Sequence, residues 1–232
     1  MFMYCNPIIC ALDTHDINHA LRLTKMLCGK ISMVKLGLEF FTAYGLSGVQ
    51  AIADCGMSVF LDLKLHDIPN TVSKAISVIK SLNIAMLLTI HVSGGREMIV
   101  RAMDSVSGSK IKLVGVTVLT SIDDSDLSDI GINRSSIQQV MLLSKLAREV
   151  GLYGIVCSAF EAKEVRNQYT KEDLKLIIPG IRFGVDYNDQ KRVKKPEDAM
   201  LAGADYLVIG RPITMSRDPV QAVDTILASI DI

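Results

Sequence analysis

Carboxylate, ammonium and carboxylate lie within six residues as Asp62, Lys64 and Asp67, in the stretch FLDLKLHDIPNTV (Phe60–Val72). Leu61, Leu63 and Leu65 alternate with Asp62, Lys64 and His66, the pattern of a strand with two unlike faces, so Asp62 and Lys64 are expected to point the same way. Pro69 and Asn70 end that strand, and Val72, Ile76 and Ile79 open a helical spacing, which leaves Asp67 in the turn between. On a solvated edge these charges would form a surface ion pair contributing about 0–1 kcal/mol. In a strand covered on both faces each charge is costly unless paired, and such clusters are kept for chemistry. That chemistry would be acid catalysis. An ammonium flanked by carboxylates is held in its charged form, so Lys64 is expected to donate a proton rather than take one.

The elements around this stretch decide which environment applies. PIICALD (Pro7–Asp13) reads as a first strand, followed by a helical spacing over His15–Cys28. MVKLGL (Met33–Leu38) is a second strand, with a helix over Thr42–Asp54 closed by Gly56. The charged stretch is the third unit, AMLLTIHV (Ala85–Val92) with a helix over Gly95–Val106 the fourth, and KLVGVTVLT (Lys112–Thr120) the fifth. An acidic loop leads from there to a helix over Ser135–Val150. GIVCSA (Gly154–Ala159) with Glu161–Gln168, KLIIPGI (Lys175–Ile181) with Pro196–Leu201, and YLVIGRPI (Tyr206–Ile213) with Pro219–Ile230 complete the series. Strands this apolar belong in a parallel sheet with helical crossovers. Eight units at about thirty residues each, close to the usual ~250-residue size, predict one (β/α)8 TIM barrel domain over residues 1–232. An open doubly wound sheet is the structural alternative, and the absence of a G-x-G-x-x-G after the first strand weighs against it.

In such a barrel the active site lies at the C-terminal ends of the strands. The residues collected there are Asp13, Lys35, the trio Asp62, Lys64 and Asp67, His91, Thr120, Ser121, Arg182, Gly210 and Arg211. A lysine in a strand can snorkel to an edge. Lys35, however, neighbours the strand of Asp62, and an alternating Lys35–Asp62–Lys64–Asp67 set would pair every buried charge. Arg211, after the last strand, suits a phosphate, which TIM barrels bind with the loops after strands seven and eight; the alternative is a surface arginine before Pro212. The loop from Arg182 to Lys195, fourteen residues with Gly184, Asp186 and Gln190, is long for a βα connection and reads as a lid. His91 fits a structural rim histidine as well as a catalytic one. A metal site would need ligands where Lys35 and Lys64 place cations.

Composition narrows the class. Lys+Arg and Asp+Glu are both 25, which argues against nucleic acid or an anionic membrane surface as partner. The five cysteines (Cys5, Cys10, Cys28, Cys55 and Cys157) are odd in number and lack metal-like spacing, as expected of a reduced cytoplasmic protein. No leader-like segment or membrane-length apolar run is apparent, so a soluble chain is expected.

With these motifs assembled, the chain resembles the orotidine 5′-phosphate decarboxylases of bacterial type. The resemblance rests on D-x-K-x-x-D in the context LDLKLHDIPNTV, and on ALD, VKLG, TIHVSGG, VTVLTS, PGIR, DQKR and VIGRPI in the family's order. Magnesium-dependent phosphosugar decarboxylases and aldolases of the same superfamily share D-x-K-x-x-D, but they carry a glutamate in place of Lys35 and lack the DIPNT continuation. A non-catalytic phosphonucleotide-binding barrel is the third alternative. The resemblance implies a carboxy-lyase acting without metal or organic cofactor, converting orotidine 5′-monophosphate to uridine 5′-monophosphate and CO₂ in the last step of de novo pyrimidine biosynthesis. It implies Lys64 as proton donor, Asp62 beside the departing carboxylate, and Lys35 and Asp67 completing the array. Asp13 and Lys35 would meet the ribose, Thr120 and Ser121 the pyrimidine, and Gln190, Gly210 and Arg211 the phosphate, with Asp62 and Arg182 also binding substrate. It further implies a homodimer in which Asp67 and Thr71 cross into the partner's site.

Overall fold

Eight short parallel strands close on themselves, each paired with its neighbours in chain order and the last with the first, in a computed structural model that describes residues 6–181 and 194–230. The strands are β1 (Ile8–Ala11), β2 (Met33–Leu36), β3 (Val59–Leu65), β4 (Met86–His91), β5 (Ile111–Val116), β6 (Gly154–Val156), β7 (Lys175–Ile178) and β8 (Tyr206–Ile209). The helices are α1 (Ile17–Leu27), α2 (Leu38–Ala53), α3 (Pro69–Lys80), α4 (Gly95–Val106), α5 (Asp124–Asp129), α6 (Ser136–Glu149), α7 (Ala162–Gln168), α8 (Pro196–Leu201), α9 (Arg211–Thr214) and α10 (Pro219–Ile230). The (β/α)8 barrel expected from the sequence is the fold observed.

Local chemistry sets the element ends. Asp16 caps α1 by accepting from the backbone N–H groups of Asn18 and His19. Pro69 sits in the first turn of α3, where its missing N–H costs nothing, and Val72, Ile76 and Ile79 turn inward as their spacing requires. Two helices went unread in the sequence. The acidic loop after β5 contains α5, started by a capping box between Asp123 and Asp126. The chain after β8 turns at once into α9, so β8 stops at Ile209 and Gly210 becomes the residue before a helix. β5 likewise ends at Val116 rather than Thr120, and α2 begins at Leu38 rather than Thr42.

The strands divide two cores between them. Outward residues such as Ile8, Cys10, Val34, Leu36, Leu61 and Leu88 pack against the helices. Inward residues Ile9, Met33, Phe60, Leu87, Val114, Ile177 and Tyr206 fill the barrel. Because inward positions recur every second residue, the layer above Met33, Phe60 and Leu87 is Lys35, Asp62 and Thr89. Lys35 and Asp62, the polar floor of the site, are therefore the next storey of the core, with Thr89 buried beside them. At the opposite end, buried Asp205 accepts from Arg166 Nη2 at 2.6 Å and from the Leu176 N–H at 2.8 Å. That end of a barrel serves stability, so this buried ion pair has a structural role.

Among the described residues, no helix is long and apolar enough to cross a membrane.

Candidate active site

A cavity of about 490 Å³ opens at the C-terminal ends of the strands. Its charged lining is Asp13, Lys35, Asp62, Lys64 and Arg211, and Thr120 and Gly210 also contribute to its wall. Asp13 follows β1, Lys35 lies in β2 and Asp62 and Lys64 lie in β3, so three adjacent strands deliver four alternating charges.

The alternation is geometric as well as formal. Lys35 Nζ lies 2.8 Å from Asp13 Oδ1 and 3.9 Å from Asp62 Oδ2. Lys64 Nζ lies 2.7 Å from the same Asp62 oxygen. The side chains of Lys35 and Asp62 are only 12% and 11% exposed, so each depends on its neighbours for the solvation it has lost. Gly37 makes room for this chain: a Cβ there would stand 3.0 Å from Lys35 Nζ and 3.1 Å from Asp13 Oδ1. Within one chain, the fourth member of the set is therefore Asp13, where the sequence suggested Asp67.

The strand carrying the array is not the regular alternation that its leucines imply. Lys64 has φ 51°, in the left-handed region, and the β3–β4 register shifts between Leu61 and Leu65. A non-glycine residue held there costs of order 1–3 kcal/mol, and such outliers cluster at functional sites. Asp62 and Lys64 do meet, but through a strained backbone rather than a flat strand.

Among the described residues, four others singled out from sequence, Asp67, Thr71, His91 and Ser121, do not line the cavity. Asp67 is exposed and accepts from the Ile68 N–H through its own Oδ1 at 2.7 Å. Thr71, in the first turn of α3, and Ser121, in the loop after β5, are exposed. His91 is half-buried at the end of β4 and packs on His66, with ring centroids 5.2 Å apart. Burial, followed by His66 and Lys64, holds the His91 imidazole below its usual pKa. Arg182, Gln190 and most of the loop expected to form a lid lie outside the described residues.

Sequence reasoning missed Thr89. Its hydroxyl, fully buried, reaches Asp62 Oδ1 at 3.0 Å and the Lys64 backbone nitrogen at 2.8 Å. Cysteine chemistry has no foothold at β1, where burial pushes the Cys10 thiol up to about 12. Among the described residues, no three His, Cys, Asp or Glu side chains converge as a metal site. What the arrangement can do is hold an ammonium at a cavity mouth, between a carboxylate and a ligand.

Comparison with known proteins agrees with this geometry. The family model described as orotidine 5′-phosphate decarboxylase / HUMPS family matches residues 6–226. Orotidine 5′-phosphate decarboxylase of Ehrlichia chaffeensis is 83% identical over 228 residues, covering 98% of each chain. That of the Wolbachia of Culex pipiens is 54% identical, covering 97% of this chain and 99% of the relative. The structure of orotidine 5′-phosphate decarboxylase from Lactobacillus acidophilus superimposes with a TM-score of 0.82 at 32% identity, over 97% of this chain and 99% of that one. A barrel of this order, with this lysine and these acids at its mouth and relatives this close over its whole length, belongs to the orotidine 5′-phosphate decarboxylase / HUMPS family.

Proposed function

We propose that the Asp13–Lys35–Asp62–Lys64 chain is the machinery by which this protein converts orotidine 5′-monophosphate to uridine 5′-monophosphate and CO₂. The reaction is a carboxy-lyase step of pyrimidine biosynthesis, and the family and its close relatives carry that assignment. The observation supporting the residue roles is the 2.7 Å contact that fixes Lys64 Nζ on Asp62 at the cavity mouth.

The bond between C6 and the carboxylate breaks with its electron pair left on C6, and CO₂ departs. The Lys64 ammonium stabilises that carbanion and then protonates it, becoming a neutral amine that regains its proton from water. Asp62 stands beside the departing carboxylate and holds Lys64 in place. Asp13 and Lys35 meet the ribose hydroxyls, and Thr120 lies at the pyrimidine. Gly210 and Arg211, after β8 where barrels of this kind bind phosphate, take the 5′-phosphate. Gln190 for the phosphate, Ser121 for the base and Arg182 for substrate binding are assigned by the family resemblance alone. The ammonium supplies both charge and proton, so the chemistry calls for no metal or organic cofactor. Following the absorbance of the orotate nucleotide with metal-free protein tests this reading. Turnover that persists in chelator is expected; an inert protein, or one inactivated by chelation, ends it.

The protein acts as a cytoplasmic homodimer, with neither nucleic acid nor membrane as partner. Cys10, Cys28, Cys55 and Cys157 form no disulfide among the described residues, which supports a reducing compartment. Asp67 and Thr71 reach the partner's site rather than their own: both are exposed beside Ile68, an apolar side chain 65% exposed, on the rim where the chain leaves β3. Lys64→Ala and Asp67→Ala, each poorly active alone, should therefore complement after subunit exchange. In a mixed dimer one site gathers both defects and the other gathers neither. Random exchange makes about half the dimers mixed, so roughly a quarter of all sites recover. Activity no higher than that of the parents, with exchange confirmed independently, would place Asp67 in its own subunit's site.

A further inference from the structure

The geometry points to Thr89 as the positioning residue that sets both Asp62 and Lys64. Leu61 pairs with Leu88 and Leu65 with Ile90, so Asp62, Leu63 and Lys64 all stand opposite Thr89. The strand has bulged here, and the Lys64 N–H is turned away from an ordinary ladder acceptor. It donates instead to the Thr89 hydroxyl at 2.8 Å. An N–H can only donate, so the hydroxyl accepts that bond and must place its own proton elsewhere. It donates to Asp62 Oδ1 at 3.0 Å.

One buried hydroxyl thus closes a clasp across the three-residue bulge. At one end it holds the backbone of Lys64 in its left-handed conformation. At the other it occupies Oδ1 of Asp62, which leaves Oδ2 aimed at Lys64 Nζ and, further off, at Lys35 Nζ. Thr89 does not line the cavity and is fully buried, so it acts on substrate only through these two groups. Its part in the reaction rests on the decarboxylase reading, whereas the clasp itself does not.

Thr89→Val keeps the shape and removes the hydroxyl; Thr89→Ser keeps the hydroxyl. Misplacing the array should lower kcat of the valine variant by about 10²-fold, because small displacements at reacting groups cost that much. KM for orotidine 5′-monophosphate should stay within about threefold, since the anchoring contacts lie on other strands. The serine variant should retain most of the rate. Amide hydrogen exchange at Lys64, measured without substrate, should accelerate at least about tenfold in the valine variant and little in the serine variant. A valine variant with wild-type kcat, or a serine variant as impaired as valine, overturns the positioning role. Unchanged exchange at Lys64 overturns the clasp. If wild-type protein does not consume the orotate nucleotide, the proposed reaction falls instead, and the exchange comparison still decides the clasp.

Discussion

Lys64→Ala is expected to lose at least about 10⁴-fold in kcat while still binding uridine 5′-monophosphate, because the proposed role of the residue is to supply both a proton and the charge opposite the carbanion. Binding should survive because the proposed ribose and phosphate contacts belong to other residues of the cavity wall, Asp13 and Lys35 at β1 and β2 and Arg211 beyond β8. Alanine also leaves Asp62 with Lys35 Nζ at 3.9 Å, so the buried carboxylate keeps one cation and the fold should persist. Stopped-flow or steady-state turnover against orotidine 5′-monophosphate, beside calorimetric titration with the product, separates the two effects. A variant within about tenfold of wild-type kcat, a barrier change of only ~1.4 kcal/mol, would remove Lys64 from the proton-donor role.

The second large effect concerns a group distant from the bond that breaks. Orotidine without its phosphate should lose kcat/KM by at least about 10⁴-fold, because binding energy from a remote, non-reacting group is realised at the reacting centre. Arg211→Ala should correspondingly weaken phosphorylated ligands far more than nucleosides, by roughly 10-fold or more for one charge-assisted contact. Comparing uridine with uridine 5′-monophosphate on the wild-type and variant proteins reads this directly. Equal weakening of both ligands would show that Arg211 supports the fold rather than the phosphate.

Much of this architecture was legible because barrels impose a simple pattern. Helix α3 could be read from Pro69, Val72, Ile76 and Ile79 alone, since a proline stop and a 3.6-residue spacing admit few alternatives. Asp62 and Lys64 were legible for the same reason, as charges interrupting leucines. What escaped depended on three-dimensional closure or on unremarkable residue types. Thr89 sits in TIHV as an ordinary β-branched strand residue, and only the bulge opposite gives its hydroxyl two partners. The left-handed Lys64 defies its residue type, and nothing local announces it. The 2.8 Å Lys35–Asp13 pair joins β2 to the residues just after β1, brought together by the pairing of Ala11 with Lys35 rather than by sequence separation. Helix α9 was hidden because the apolar run YLVIGRPI read as one strand through Ile213.

The seam between the first and last strands also bears on how the site comes into being. Ile8 pairs with Leu207, Ile9 with Val208 and Cys10 with Ile209, contacts that span nearly the whole chain. Such long-range pairing is slow to form and must await synthesis of the final strand. The charged residues of the array, Asp13 to Lys64, leave the ribosome early, whereas Arg211, proposed to hold the phosphate, emerges near the end. On the proposed roles, a nascent chain would carry its lysine long before its phosphate side exists, and the cavity would be complete only once β8 docks between β7 and β1.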